Sequence, residues 1–368
     1  MINKCILPLN ESTPVSYNLL FAIPLKIALS DLEIRNDVDN WIYSNYIQLL
    51  CFSKEKHRGF SRLNFFESYN PFVKRSLNII LNKKRKPDFY LKTIISKIEK
   101  GVYCNILLDQ YYLPGYSEYH RTHVNHTECI YGYDFEKKEI YLFGFSRLSQ
   151  GHAENMTVSF DDFKKAMTSA LNSHTGLSYI VGHSKKKKKT TYNLNYKLIY
   201  WGYRDYVNSK ISLRYILFTQ IRKPIYSYNL PIHDYFGFAV YKHMVSILKE
   251  EFDSTLNYAA NIPRIALLAE HDELMKKRFE YIYKQQLQET DESKVNNIAK
   301  LYALRCQNSN KFKIIYGLYL KYNITHDKKV LKKVILLLED FICDETKFLE
   351  AFLPVLRADY KNKRSNLL

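Results

Sequence analysis

At 368 residues the chain is long enough for a complete hydrophobic core, and its 46% hydrophobic and 25% charged residues exclude a disordered protein. With 55 Lys and Arg against 37 Asp and Glu, its formal charge of +18 attracts acidic partners, such as nucleic acid, an anionic membrane or an acidic carrier protein. The N-terminus lacks the apolar core of a signal peptide, and no window reaches about 18 consecutive apolar residues. We therefore expect a cytoplasmic protein without a membrane partner.

The N-terminal part of the chain contains three helical patterns. A Ser-Thr pair before Pro14 predicts a helix start, and Pro24 should kink or end that helix early. The apolar residues of 41–50 recur at the helical period and predict a second helix. Residues 88–100 predict a third, which Gly101 should end.

The middle of the chain predicts a sheet. Residues 103–109 form a short apolar run before a Pro-Gly turn, which is typical of a buried strand. Residues 128–134 and 139–145 flank a charged turn and predict a β-hairpin. Farther on, the patterns predict a helix at 159–171, a strand at 177–181 with 192–198 as its partner, and then helices at 195–208, 235–252, 263–287, 294–308, 310–322 and 327–357. This order predicts an α+β architecture.

Four sequence features are weak predictors of function. The histidines of the H-x-x-H-x-x-H pattern are not joined by a Cys or carboxylate that would complete a zinc site, so we expect neither metal nor cofactor. The five lysines at 185–189 are typical of an exposed loop, although they could also dock an acidic carrier protein. No nucleic-acid-binding motif accompanies the basic charge, so we expect no nucleic-acid partner. The six cysteines form no C-x-x-C pair and are expected to be free thiols.

Residues 109–146 carry the strongest functional pattern, centred on His126. Together with an early and a late helical segment, they resemble the butirosin-biosynthesis-H-like family of bacterial natural-product gene clusters. The resemblance depends on Asp109-Gln110-Tyr111-Tyr112-Leu113-Pro114, Tyr119, His120, His126, Ile130-Tyr131-Gly132-Tyr133-Asp134, residues 41–49, residues 264–271, Met275 and Arg278. It spans about residues 41–278 and leaves the C-terminal part uncovered.

The resemblance implies a papain-like, C39-peptidase-like fold at residues 1–200, followed by a mostly helical C-terminal region at residues 201–368. Members of such folds move acyl groups from carrier-protein thioesters to amines. They use a cysteine at a helix N-terminus, a histidine at the start of a strand, and an acid or amide that orients the histidine. A helix N-terminus and a nearby imidazole both favour the thiolate, which is why this arrangement makes a good nucleophile.

Transferred residue by residue, the family histidine corresponds to His126, whereas the other two positions depart from the pattern. The first turn of the first helix offers the hydroxyl of Ser16 instead of a thiol, and Cys5 lies about eleven residues upstream. The strand that should end in an acid ends in Gly144 instead. Asp109 follows a buried strand and is the candidate orienting group, with turn capping as its alternative role.

The function implied is acyl or aminoacyl transfer that forms an amide in thiotemplated natural-product biosynthesis. The donor would be an acyl group on the phosphopantetheine of an acyl- or peptidyl-carrier protein, and the acceptor a small-molecule amine. His126 would be the general base and Ser16 or Cys5 the nucleophile, or else His126 would deprotonate the amine for direct attack. The alternative is a catalytically inactive papain-like relative that binds a carrier protein or a peptide intermediate.

Overall fold

A computed structural model of the chain describes residues 2–52, 62–65, 70–81, 86–145, 153–173, 179–186, 190–210, 235–254, 261–284, 287 and 292–365. The chain divides into two compact units, and neither is continuous in sequence. The first unit comprises residues 1–38 and 70–191, and the second comprises residues 39–69 and 192–368. The prediction had a single boundary after residue 200, whereas here the segment 39–69 belongs with the C-terminal part of the chain.

The first unit is built on one antiparallel sheet. Its strands are β1 (Lys4–Ile6), β4 (Val73–Ile80), β5 (Tyr103–Asp109), β6 (Asn125–Asp134), β7 (Glu139–Phe145), β8 (Ala153–Ser159) and β9 (Tyr179–Lys185), and its helices are α1 (Leu19–Leu29), α3 (Pro87–Ile98) and α4 (Phe160–Ser173). The strand order is β4-β9-β5-β6-β7-β8, and β1 pairs with the far end of β6. Each of these pairings is antiparallel. The hairpin β6–β7 therefore lies in the interior of the sheet.

Both faces of this sheet are covered by helices. Helices α3 and α4 and residues such as Leu142 form one apolar core with the sheet. The neighbouring Phe143 contacts the Lys26 ammonium group of α1, which is 4.3 Å from the ring centroid. Because adjacent residues of a strand point to opposite faces, α1 covers the other face. The strand centres are consequently buried, and side chains become accessible where the strands end.

The second unit is mainly helical. Its small antiparallel sheet has the order β10-β2-β3, formed by β2 (Leu49–Phe52), β3 (Arg62–Phe65) and β10 (Tyr235–Phe236). Its helices are α5 (Tyr196–Val207), α6 (Ala239–Asp253), α7 (Ile262–Tyr283), α8 (Glu292–Thr325) and α9 (Lys328–Ser365), while α2 (Arg35–Ser44) begins in the first unit and ends in the second. The architecture of the chain is thus α+β, as predicted. Among the described helices, none is long and apolar enough to cross a membrane.

The buried Arg278 side chain of α7 caps the C-terminal end of α2 in the second unit. The Arg278 guanidinium, which is fully buried, donates hydrogen bonds to the carbonyl oxygens of Tyr43, Asn45 and Tyr46. Carbonyl groups at a helix C-terminus lack partners within the helix, so a buried cation is well placed to satisfy them. The Arg278 segment that carried part of the family resemblance therefore has a structural role here.

Several sequence predictions differ from the structure. The predicted helix at 41–50 is wrong in its second half, because α2 ends at Ser44 and Leu49–Phe52 is a strand. The predicted strand at 192–198 is wrong, since the Asn195 side chain accepts a hydrogen bond from the Leu198 N–H and caps α5. Pro24 lies inside α1 and does not end it. The two helices predicted within 294–322 are one continuous helix, and β1 to β4, β8 and β10 were not predicted.

Candidate functional site

The 109–146 segment forms the end of β5, the turn after it, and the β6–β7 hairpin. Within the pairing of β5 and β6, Leu108 lies opposite His126 at the accessible end of the sheet. The turn begins with a short 3-10 helix at Gln110–Tyr112, where the Asp109 side chain accepts a hydrogen bond from the Tyr111 N–H. Ser146 lies outside the described residues. The segment therefore brings His126 and two carboxyl groups to one end of the sheet.

His126 is oriented by Glu128, two residues farther along β6. The Nδ1 atom of His126 is 3.1 Å from Oε1 of Glu128, and the Gln110 side-chain amide donates a 3.0 Å hydrogen bond to the same oxygen. The Glu128 side chain is completely buried, whereas 38% of the His126 side chain is exposed. Because the carboxyl oxygen accepts, Nδ1 must donate, and the neutral ring keeps its lone pair on Nε2. Within the described part of the chain, Nε2 makes no hydrogen bond.

Gly144 leaves the space that the Glu128 carboxyl group occupies. A Cβ atom at this position would lie 1.6 Å from Oε2 of Glu128 and 2.6 Å from the hydroxyl of Tyr116. Burial, reinforced by the charge of Glu128, raises the pKa of Tyr116 well above its ordinary value, so this hydroxyl stays neutral. The resemblance predicts an acid at the end of the strand that forms β7. Gly144, the second-last residue of β7, occupies that position, and the carboxyl group beside it belongs to Glu128 on the neighbouring strand.

Phe145 links the histidine to the segment that precedes α1. Its ring packs edge-on against His126, with 5.3 Å between the ring centroids. The same ring lies 6.1 Å from the ring of Tyr17. Ser16 is the adjacent residue, three positions before α1 begins at Leu19. The structure therefore brings the Ser16 segment and His126 to the same phenylalanine.

No protein-family model matches this chain, and neither does any curated protein. Its function therefore has to be inferred from the geometry of its own residues.

Asp109 contacts a different histidine from the one that the sequence suggested. Its Oδ2 atom lies 2.6 Å from Nδ1 of His123 and accepts a 2.6 Å hydrogen bond from the hydroxyl of Ser169 on α4. Burial works to raise the pKa of Asp109, but the hydrogen bonds from Ser169, His123 and Tyr111 outweigh it and lower the pKa. Asp109 therefore acts as a carboxylate partner of His123 and, through Tyr111, as the predicted turn cap. It does not orient His126.

Cys5 is remote from the site. It lies on β1, where it pairs with Tyr133, and its thiol contacts the carbonyl oxygen of Ile98 at 4.0 Å. Tyr133 is seven residues beyond His126 on the same strand, which corresponds to about 23 Å at roughly 3.3 Å per residue. Burial, together with the charge of Glu99, also raises the pKa of the Cys5 thiol. Of the two nucleophiles that the sequence offered, only Ser16 adjoins a residue that is linked to His126 by ring contacts, because Tyr17 and His126 both contact Phe145.

The three histidines of the H-x-x-H-x-x-H pattern do not converge. His123 and His126 face different carboxyl groups, and the His120 ring packs on Tyr119 with 4.1 Å between the ring centroids. In the described residues, no group of three or more His, Cys, Asp or Glu side chains has the geometry of a metal site. The arrangement instead provides two separate imidazoles, each with one ring nitrogen held by a carboxyl group.

Glu128 was missing from the set of site residues that the sequence predicted. Residues two apart on a strand point to the same face, so the pair His126 and Glu128 was detectable once β6 was assigned.

Two of the five lysines at 185–189 are described. Lys185 pairs with Asp31 at 3.7 Å, and the Lys186 N–H bonds the Phe72 carbonyl oxygen. Lys187, Lys188 and Lys189 lie outside the described residues.

We expect opposite effects from two glycine-to-alanine variants. Gly144→Ala should destabilise the protein by about 1–3 kcal/mol, because its Cβ would displace a buried carboxyl group. Gly317→Ala is the matched control, since Gly317 is an exposed residue inside α8 with no atom within 4 Å of its Cβ position. It should stabilise by about 0.5–1 kcal/mol through helix propensity. Urea unfolding of both variants measures the changes, and equal stability for Gly144→Ala and the unmodified protein would contradict the close packing.

Proposed function

We propose that the first unit transfers an acyl group from a thioester to an amine, with His126 as the general base. The contact that supports this most directly is the one between Nδ1 of His126 and the buried Glu128 carboxyl group. A carboxyl group in that position fixes the ring orientation and stabilises the imidazolium that forms when Nε2 takes a proton. A half-exposed imidazole is therefore ready to exchange protons with a bound substrate.

The reaction joins the acyl carbon to the acceptor nitrogen and breaks its bond to sulfur. In the covalent route, His126 takes the proton of the Ser16 hydroxyl while Ser16 Oγ attacks the thioester carbonyl. The thiolate then leaves and receives that proton from His126. In the second half, His126 takes a proton from the amine, which attacks the ester, and returns it to Ser16 Oγ. Each half is a general acid-base cycle of one imidazole, and dividing the reaction lowers the barrier of the individual steps.

A papain-like organisation is consistent with this assignment. In that arrangement the nucleophile lies at the N-terminus of a helix and the histidine at the start of a strand. Ser16 lies three residues before α1 and not in its first turn as predicted, and Tyr17 and His126 both contact Phe145. A serine hydroxyl is a weaker nucleophile than a thiolate and depends more on its base. The buried acid behind His126 supplies part of that help.

The proposed donor is an acyl group on the phosphopantetheine arm of an acyl- or peptidyl-carrier protein, and the acceptor is a small amine. The formal charge of +18 favours association with an acidic partner by long-range attraction. That attraction is screened by salt, so the apparent KM for the carrier protein should rise with ionic strength.

The direct test incubates the full-length protein with butylamine and a carrier protein loaded with acetyl- or glycyl-phosphopantetheine. We expect the amide product and an equal amount of free carrier thiol, measured by mass spectrometry and thiol titration. Intact-protein mass should reveal a transient acyl adduct that Ser16→Ala abolishes. Ser12→Ala is the matched control, because Ser12 is an exposed serine of the same N-terminal segment.

The outcomes distinguish the covalent route, direct attack by the amine, and binding without catalysis. Unchanged amide formation in Ser16→Ala, without any adduct, would exclude Ser16 as the nucleophile and favour direct attack by an amine that His126 deprotonates. Binding of the loaded carrier without release of thiol would favour a non-catalytic papain-like relative. The absence of both binding and thiol release would contradict the proposal.

A further inference from the structure

The His123–Asp109 pair is a second imidazole-carboxylate pair, separate from His126 and Glu128. Asp109 is almost completely buried, with 1% of its side chain exposed, whereas 59% of the His123 side chain is exposed. The carboxylate is held by the Ser169 hydroxyl at 2.6 Å and by the Tyr111 N–H at 3.1 Å. Ser169 bonds Oδ2, the oxygen that faces His123, and Tyr111 bonds Oδ1, so both oxygens of the carboxylate are held in place.

The orientation of the His123 ring is fixed on two sides. Its Nδ1 atom lies 2.6 Å from Oδ2 of Asp109, and its ring stacks on Tyr111 with a centroid distance of 4.2 Å and an interplanar angle of 20°. Because the carboxylate can only accept, Nδ1 carries the hydrogen, and in the neutral form of the ring Nε2 has the lone pair. Within the described residues, Nε2 of His123 makes no hydrogen bond. The exposed nitrogen is thus an oriented proton acceptor.

Two bases have distinct tasks if the acceptor is an alkyl amine. Such an amine has a pKa of about 10, like the lysine side chain, and enters as an ammonium ion at neutral pH. The ammonium must lose one proton before its nitrogen can attack and a second proton when the amide forms. His126 can return only one of these to the leaving group. The other has to reach solvent, which requires a base at the surface.

We propose that His123, supported by Asp109, takes the first proton from the ammonium form of the acceptor amine and releases it to water. This inference rests on the proposed acyl transfer. His123 and His126 are three residues apart, so their Cα atoms lie within about 11 Å, even in a fully extended chain. An amine bound between the two rings would first contact the exposed imidazole of His123. It would then reach the half-exposed imidazole of His126 at the carbonyl group that it attacks.

Acceptors of different basicity test the assignment. With the acylated carrier protein as donor at pH 7, transfer to butylamine is compared with transfer to methoxyamine, which is mostly neutral at this pH. His123→Asn should slow transfer to butylamine by about 100-fold, the size of a typical general-base contribution, and leave transfer to methoxyamine within about twofold. Raising the pH should restore the butylamine rate of the variant, because the free amine then becomes abundant. His126→Asn should slow both reactions.

The matched control is His120→Asn, which removes an imidazole of the same turn that contacts Tyr111 and Tyr119 but neither carboxyl group. Asn also tolerates the left-handed backbone of this position, where φ is 54°. Equal losses for the two amines in His123→Asn, or no loss for either, would overturn the role of His123 while leaving the acyl transfer in place. An unmodified protein that acylates neither amine would instead remove the proposed function, and this inference with it.

Discussion

Glu128→Gln is expected to lower the kcat of acyl transfer by about 10³-fold, with little change in the fold. The amide oxygen of glutamine can still accept the hydrogen bonds from Gln110 and His126, so the geometry of the site is preserved. The variant lacks the negative charge that stabilises the imidazolium. In hydrolases with a Ser-His-Asp triad, the corresponding acid-to-amide change costs on the order of 10⁴-fold. Steady-state kinetics with the acylated carrier protein measures the loss.

The expected control for this variant is Glu118→Gln. Glu118 lies on the turn between β5 and β6 and bonds the hydroxyl of Ser117, so this variant removes a nearby carboxylate that contacts neither histidine. Its kcat should stay close to that of the unmodified protein. If both variants lost activity equally, the general negative potential of the turn would explain the effect. The specific role of Glu128 would then be disproved.

Regular elements with strong patterns were predictable from the sequence. The β6–β7 hairpin was visible because two apolar runs flank a charged turn, and α3 because its apolar residues recur before Gly101. The strands that escaped prediction include β1, β2 and β3, which are only three or four residues long. A strand of three or four residues contains too few alternations of apolar and polar residues to be distinguished from a helix or a loop.

The candidate site was predictable only in part, because its contacts depend on the fold. Asp109 and Ser169 are 60 residues apart in the chain and meet only because α4 packs against β5. Asp109 was placed next to the wrong histidine for the same reason, since sequence order does not show which ring faces the end of a strand. Glu128 was not predicted, because the resemblance implies an acid at the end of the strand that forms β7. That position is Gly144, whose missing side chain makes room for the Glu128 carboxyl group.

Arg305→Met should destabilise the second unit by about 3–5 kcal/mol, the usual cost of removing one partner from a buried ion pair. Arg305 on α8 is buried between Asp272 on α7 and Glu345 on α9. Its guanidinium donates to the Asp272 carboxylate, to the Asp272 carbonyl oxygen at 2.6 Å, and to Glu345 at 2.5 Å. Without this cation, two buried carboxylates would face each other unpaired. Urea unfolding followed by far-ultraviolet circular dichroism, which the helices dominate, measures the loss.

The pH dependence identifies the origin of that loss. Burial already raises the pKa of Glu345, and Arg305 opposes that rise, so the variant should raise it further. A carboxyl group whose pKa is higher in the folded state than in the unfolded state favours folding less as the pH rises. The difference in the free energy of unfolding between Arg305→Met and the unmodified protein should therefore be larger at pH 7 than at pH 5.

Two further variants separate loss of charge pairing from loss of packing. The exposed Arg357→Met on α9 should change stability by no more than about 0.5 kcal/mol, as is usual for surface positions. The triple variant Arg305→Met, Asp272→Leu, Glu345→Met removes all three charges, and apolar replacement of a buried ionic cluster is often neutral. We expect it to recover at least about half of the single-variant loss. A triple variant as unstable as Arg305→Met would mean that the shape of the arginine, and not its charge, connects the three helices.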